Sequence, residues 1–171
     1  MNRKKYSDIH PFEICSIRPP TENFSLTFRL SRNCYWNKCA FCPVYKTGQK
    51  FSKRSLDEIF TDIENAKRIL NLLKDTLSGN DSRGSRSGLY SLIEAVKRDQ
   101  AGSKDKGQQN IIPEKTSRDT VTDERMKWFM TWFKDTPDIE DSINHVYSWW
   151  QAGGETCFLG DADSLIFKPD F

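Results

Sequence analysis

The sequence predicts an α/β fold, two strands joined through helices with a flexible insertion between them, and three observations carry that expectation. Ser25-Leu26-Thr27-Phe28-Arg29-Leu30 alternates, placing Leu26, Phe28 and Leu30 on one face as a strand does. Leu56, Ile59, Phe60, Ile63, Ala66, Leu70, Leu73 and Leu77 recur at steps of three and four, the period of an amphipathic helix. Thr156-Cys157-Phe158-Leu159-Gly160-Asp161 reads as a short buried strand that runs into a turn. Strand, helix and strand in this order are the parts of a parallel β-α-β unit.

In chain order, residues 1–24 hold Pro11, Pro19 and Pro20 and no sustained period, so they form an extended lead-in that covers part of a core. The first β-α unit occupies 25–78, with a cysteine-bearing loop over 31–54. Ser55-Leu56-Asp57-Glu58 has the Ser-x-x-Glu form in which each side chain caps the other's backbone N–H, so the long helix starts there. Gly79 can supply the left-handed turn that ends it. Residues 79–122 contain five of the nine glycines and many Ser, Asp, Lys, Arg and Gln, a composition that buries too little to order itself. They read as a mobile insertion with at most a short helix from Leu89 to Val96. Residues 123–171 return to helical spacing, first over Asp123 to Lys134 (Met126, Phe129, Met130, Phe133) and, after Pro137, over Ile139 to Trp150. In the second of these Ile139, Ile143, Val146, Tyr147 and Trp150 share a face, and Gly153 and Gly154 stop it before the last strand. There is no internal repeat.

The 171 residues carry 26 basic and 24 acidic side chains, a net charge of +2. No one-sided field of the kind that draws a protein to nucleic acid follows from that balance, so nucleic acid is not an expected partner. The basic start Met1-Asn2-Arg3-Lys4-Lys5 leads into Tyr6-Ser7-Asp8 and not into an apolar run, and no stretch approaches the ~20 apolar residues of a membrane span. A cytoplasmic protein with no membrane partner is expected. Five cysteines, an odd number, then read as metal ligands or free thiols and not as a disulfide framework.

Three of them, Cys34, Cys39 and Cys42, fall within nine residues, four and then two residues apart in their intervals of Cys-x4-Cys-x2-Cys. One loop can wrap a compact metal centre at that spacing. Thiolates are the soft ligands of iron-sulfur clusters, and four irons held by three cysteines leave one iron open to substrate or cofactor. A zinc site wants four ligands, and neither His10 nor His145 stands near the loop; Cys15 and Cys157 remain open as a fourth. Arg32, Lys38, Lys46 and Arg54 are cations available to steady a negatively charged cluster, or plain surface charges. Trp36 and Tyr45 either shield the site or belong to the core.

From Ile17 to about Lys67 the chain resembles the radical S-adenosylmethionine superfamily, on Cys34-Tyr35-Trp36-Asn37-Lys38-Cys39-Ala40-Phe41-Cys42 followed by Pro43-Val44-Tyr45-Lys46. The interval between Cys34 and Cys39 is one residue longer than the commoner form. The resemblance implies that Cys34, Cys39 and Cys42 bind a [4Fe-4S] cluster, that its open iron takes the amino and carboxylate groups of S-adenosyl-L-methionine, and that Phe41 lies against the adenine. It implies reductive cleavage of that cofactor to a 5'-deoxyadenosyl radical acting on a small-molecule or other substrate, with an electron donor such as flavodoxin or ferredoxin. It also implies a TIM-type (β/α) barrel, incomplete here because only two strands are legible and a whole barrel takes about 250 residues. The chain is thus expected to be an enzyme of this kind or the amino-terminal piece of one, with bare strand edges that favour association.

The superfamily often uses a Gly-Gly-Glu motif at the carboxyl end of its second strand. Gly153-Gly154-Glu155 precedes the strand instead, which puts it at the wrong end. Asp161 and Asp163, in the turn after that strand, stand on the correct side, and either carboxylate binds the cofactor's ammonium group or simply closes an Asx-type turn. Cys157 within the strand reads as a buried small residue, and the two histidines as structural. Two rival readings are a non-catalytic zinc-binding or iron-sulfur electron-transfer module, which needs a fourth ligand, and an interaction protein using the tryptophan-rich segment from Trp128 to Trp150.

Overall fold

The reciprocal cap expected at Ser55 is formed in full. In the computed structural model, which describes residues 6–15, 18–41, 45, 50–77, 86–101 and 138–160, the Glu58 N–H donates to Ser55 Oγ at 3.2 Å and the Ser55 N–H donates to Glu58 Oε2 at 2.8 Å. Two backbone donors at the helix entrance are thereby satisfied. The described elements are, in chain order, β1 (Leu26–Arg29), β2 (Ser31–Arg32), β3 (Ser52–Lys53), α1 (Leu56–Leu77), α2 (Arg86–Ala101), α3 (Ile139–Gln151) and β4 (Cys157–Gly160), with a 3-10 turn at Pro20–Glu22 ahead of them. The helix expected over 123–134 and the turn holding Asp161 and Asp163 lie outside the described residues.

β1 and β4 pair in parallel, Leu26 opposite Cys157 and Arg29 opposite Gly160. The connection between them passes through the helices, as a parallel pair requires. All four β1 residues are buried, unlike a half-exposed strand: Leu26 and Phe28 join the core while Thr27 and Arg29 turn to polar partners. β2 and β3 form a second, antiparallel ladder of two residues each, with Ser31 opposite Lys53 and Arg32 opposite Ser52. Neither two-stranded sheet closes, and no barrel stands among the described residues.

Leu26 and Leu30 donate their N–H groups to Thr156 and Gly160 of the β4 side. The polar groups of Thr27 and Arg29 therefore face the opposite edge of β1. Side chains occupy that edge. The Thr27 N–H donates to His145 Nε2 at 3.0 Å, and Arg54 Nη1 donates to the Arg29 carbonyl at 2.9 Å. The bare edge expected on this strand is thus capped at two positions.

α1 keeps its expected length but turns a different stripe inward. Ile59, Ala66, Ile69, Leu72, Leu73 and Leu77 are buried together with Asp62 and Asn65, while Leu56, Phe60 and Ile63 are exposed. The cause is the lead-in, whose irregular backbone lies on α1 and needs polar partners. Asp62 Oδ2 accepts the Glu13 N–H at 3.2 Å and Asn65 Nδ2 donates to the Pro11 carbonyl at 3.3 Å. α3 and α2 contribute as well: Ser142 Oγ accepts the Phe12 N–H at 3.2 Å, and Gln100 Nε2 donates to the Ile9 carbonyl at 2.8 Å. Ile9 and Phe12 fill the core between these ties.

Residues 86–101 form a sixteen-residue helix, longer than the short one expected at Leu89 to Val96, and Leu89, Leu92, Ile93 and Val96 are core residues. The i, i+3, i+4, i+7 spacing of those four overrides the polar composition around them. Lys97 of α2 and Glu140 of α3 form an ion pair between the helices. Asp138 caps α3 by accepting the Glu140 N–H at 2.8 Å. Gly153 and Gly154 end it with φ of 118° and 74°, in the left-handed region where glycine has no Cβ to clash, and the Gly154 N–H returns to the Trp149 carbonyl at 3.0 Å. Tyr147, Trp149 and Trp150 are partly buried and pack against the core. No helix among the described residues is long and apolar enough to cross a membrane.

Candidate metal centre

The β2–β3 ladder makes the neck of a loop that leaves the carboxyl end of β1 and returns at the start of α1. Ligands in α/β proteins gather at that end of the strands. Cys34 and Cys39 sit in the loop, both half-buried and neither in a disulfide; Cys42 lies outside the described residues, as does Lys46. Among the described residues no three His, Cys, Asp or Glu side chains group as a metal site.

Two asparagines shape the backbone around the first thiol. Asn33 and Asn37 have φ of 63° and 41°, the left-handed region that asparagine tolerates better than most residues. The turn this makes brings the Asn37 N–H to Cys34 Sγ at 3.4 Å. Asn37 Nδ2 donates to the Tyr45 carbonyl at 2.7 Å and Asn33 Nδ2 to the Lys50 carbonyl at 3.2 Å, tying the two limbs of the loop together. Tyr35 meets Phe51 edge-on across the neck, ring centroids 6.1 Å apart. Tyr45, within the loop, is buried, whereas Trp36 is exposed with Lys38 Nζ 5.2 Å from its ring centroid. Phe41 is 88% exposed.

The arginines flanking the loop are not free to act on a cluster as bare cations. Arg32 donates from Nε to both carboxylate oxygens of Glu13, at 2.9 and 3.1 Å, and from Nη2 to Glu58 Oε1 at 2.6 Å. Arg54 donates to Asp62 Oδ2 at 2.6 Å, with Glu13 3.6 Å from its Nε, and Arg29 stands 4.0 Å from Glu13. Three arginines and three carboxylates close to zero net charge. Glu58 is held down to about 2, chiefly by the Ser55 backbone hydrogen bond and then by Arg32. The Arg32 guanidinium is held further up, first by its hydrogen bonds to Glu13. Burial pushes the Asp62 carboxyl up against the pull of Arg54.

This network was beyond motif reading, yet one signal pointed to it. No Asp or Glu stands between Glu22 and Asp57, so Arg29, Arg32 and Arg54 must find their carboxylates on other segments.

The remaining expected residues fall elsewhere. Cys157 is exposed and not buried as expected. Opposite Leu26, it stands at the amino end of β4, about 10 Å of strand rise from the loop's end of the sheet. Cys15 is fully buried. Gly153, Gly154 and Glu155 lie in the turn before β4, also at the amino end. His10 is exposed, and His145 is committed to Thr27. Compared with family models, with curated proteins and with solved structures, the chain finds no match.

Proposed function

We propose that the chain is a radical S-adenosylmethionine enzyme in which Cys34, Cys39 and Cys42 hold a [4Fe-4S] cluster. The observation that carries the reading is the Asn37 N–H on Cys34 Sγ, within a loop at the carboxyl end of β1. Backbone N–H groups aimed at sulfur are the hydrogen bonds by which proteins steady thiolate ligands and set cluster potentials. The donor set fits: Cys34 and Cys39 are unbridged, no three His, Cys, Asp or Glu side chains group as a metal site among the described residues, and three thiolates on four irons would leave one iron for a cofactor. When bound, the cluster supplies the electron for reductive cleavage of S-adenosylmethionine, which begins hydrogen abstraction from a substrate.

The chain's own residues then have separable tasks. Asn33 and Asn37 bend the backbone so that the loop closes around the thiols. Tyr45, buried within the loop, shields the site. Phe41, almost fully exposed, is free to stack on the adenine, and Asp161 or Asp163 binds the cofactor's ammonium group. The electron comes from a donor of the flavodoxin or ferredoxin type.

Anaerobic reconstitution with iron and sulfide, followed by electron paramagnetic resonance with and without S-adenosylmethionine, tests the proposal. A cofactor-dependent change in the cluster signal is expected. Single changes of Cys34, Cys39 or Cys42 to Ala should abolish cluster iron, and Cys15→Ala and Cys157→Ala should leave it intact. Equal loss from Cys15→Ala, or a signal indifferent to the cofactor, would replace the enzyme with a four-cysteine binding or electron-transfer module.

A further inference from the structure

We propose that Arg32 is the positioning residue of the cysteine loop, acting by geometry and not by its charge. It stands two residues before Cys34, in the strand that forms one side of the loop's neck. One planar guanidinium there grips two other segments at once. Its Nε and Nη2 take Glu13 of the lead-in, and the same Nη2 takes Glu58 of the first turn of α1. Such a forked grip fixes direction as well as distance, which a point charge such as lysine does not.

Glu58 links this grip to the helix. While Oε1 accepts from Arg32, Oε2 accepts the Ser55 N–H, so the cap of α1 and the orientation of the neck share one carboxylate. Glu13 carries the link to the core: its own N–H is held by Asp62, and Asp62 in turn holds Arg54, which reaches the Arg29 carbonyl on β1. The neck is therefore fastened to the lead-in, to α1 and to β1. The two-residue ladder of β2 and β3 is too short to fix that orientation alone. Because the three arginines and three carboxylates of this network balance one another, Arg32 presents little net field to the thiols.

The proposal rests on the reading of the loop as a cluster holder, and its test separates the two. In the metal-free full chain, Arg32→Gln should raise amide hydrogen exchange of residues 33–41 about tenfold, the easier opening expected when a charge-assisted hydrogen bond is lost, with the exchange of Ile69 to Leu77 unchanged. After reconstitution a chelator should strip iron correspondingly faster, Arg32→Lys should recover only part of the loss, and the reduction potential should stay put. Glu58→Gln, whose carbonyl oxygen can still cap α1, should loosen the loop in the same direction and guards against an Arg32 variant that fails to fold. Unchanged loop exchange in both variants, or a rise shared equally by α1, would overturn the proposal. A moved potential with an unmoved loop would also overturn it, by assigning Arg32 an electrostatic role. If the parent chain takes up no cluster, the proposed function fails, and the metal-free exchange still decides whether Arg32 holds the loop.

Discussion

In the helical base, Phe12, Ile69, Leu73, Ile143 and Val146 are almost wholly removed from water, and even the irregular lead-in has its backbone groups tied by side chains of three helices. In the cysteine loop Tyr35, Trp36 and Phe41 are more than half exposed, and the fastenings are a short ladder, two asparagines and a set of ion pairs at the neck. Apolar burial drives folding of the first region, at about 25 cal/mol per Å². The second region gains little from burial and is shaped by a few directional contacts. Stability and site geometry are thus carried by different residues, and substitutions can separate them.

The largest expected effect tests the joint between the regions. Asp62→Ala leaves the Arg54 guanidinium, 3% exposed, without its closest carboxylate, and should cost about 3 kcal/mol in urea unfolding. A cost no greater than that of a surface change would mean that the base does not depend on this network.

His145 gives an effect of similar size that depends on pH. Its ring packs 6.2 Å from that of Phe12, its Nε2 serves Thr27, and burial, with a smaller push from Arg18, lowers its pKa to about 4. Between that value and the ordinary 6.5 the unfolded chain binds a proton that the folded chain refuses. Stability therefore falls as pH drops from 6.5 towards 4, on the order of 3 kcal/mol in all, and this contribution is level outside that window. Urea melts at pH 7 and pH 4.5 should show a smaller acid loss in His145→Gln than in the parent. Equal losses would place the acid sensitivity in the carboxylates instead.

At Phe41 the expectation is nearly nothing. Phe41→Ala should change stability by less than about 0.5 kcal/mol, since its side chain gives up little contact on truncation. A larger loss by thermal denaturation would show that Phe41 is packed and would blur the contrast between the regions.

The parts of this arrangement that were legible in sequence are those fixed by near neighbours. Ser55 and Glu58 specify their cap within four residues, Gly153 and Gly154 specify the end of α3, and the alternation of Leu26 and Phe28 marks β1. The phase of α1 was not legible, because Asp62 and Asn65 are turned inward by a segment some fifty residues earlier. α2 carried its own signal in Leu89, Leu92, Ile93 and Val96, but a window wide enough to include its glycine- and lysine-rich flanks averages that signal away. At the site, thiol spacing identified candidate ligands. The ion-pair neck is invisible to spacing, since Glu13, Arg32, Glu58 and Asp62 meet only in three dimensions.

The tie between Phe12 and Ser142 spans 130 residues, and β1 waits as long for β4. Ribosomes add about 5–20 residues each second, so an emerging chain carries its lead-in and first strand without their partners for on the order of ten seconds. Throughout that interval α1 can form and cap itself locally, whereas Ile9, Phe12 and Phe28 have only part of their eventual cover. The chain therefore has its most vulnerable moment during manufacture, and slow translation or a shortage of chaperones would reduce its yield more sharply than its equilibrium stability would suggest.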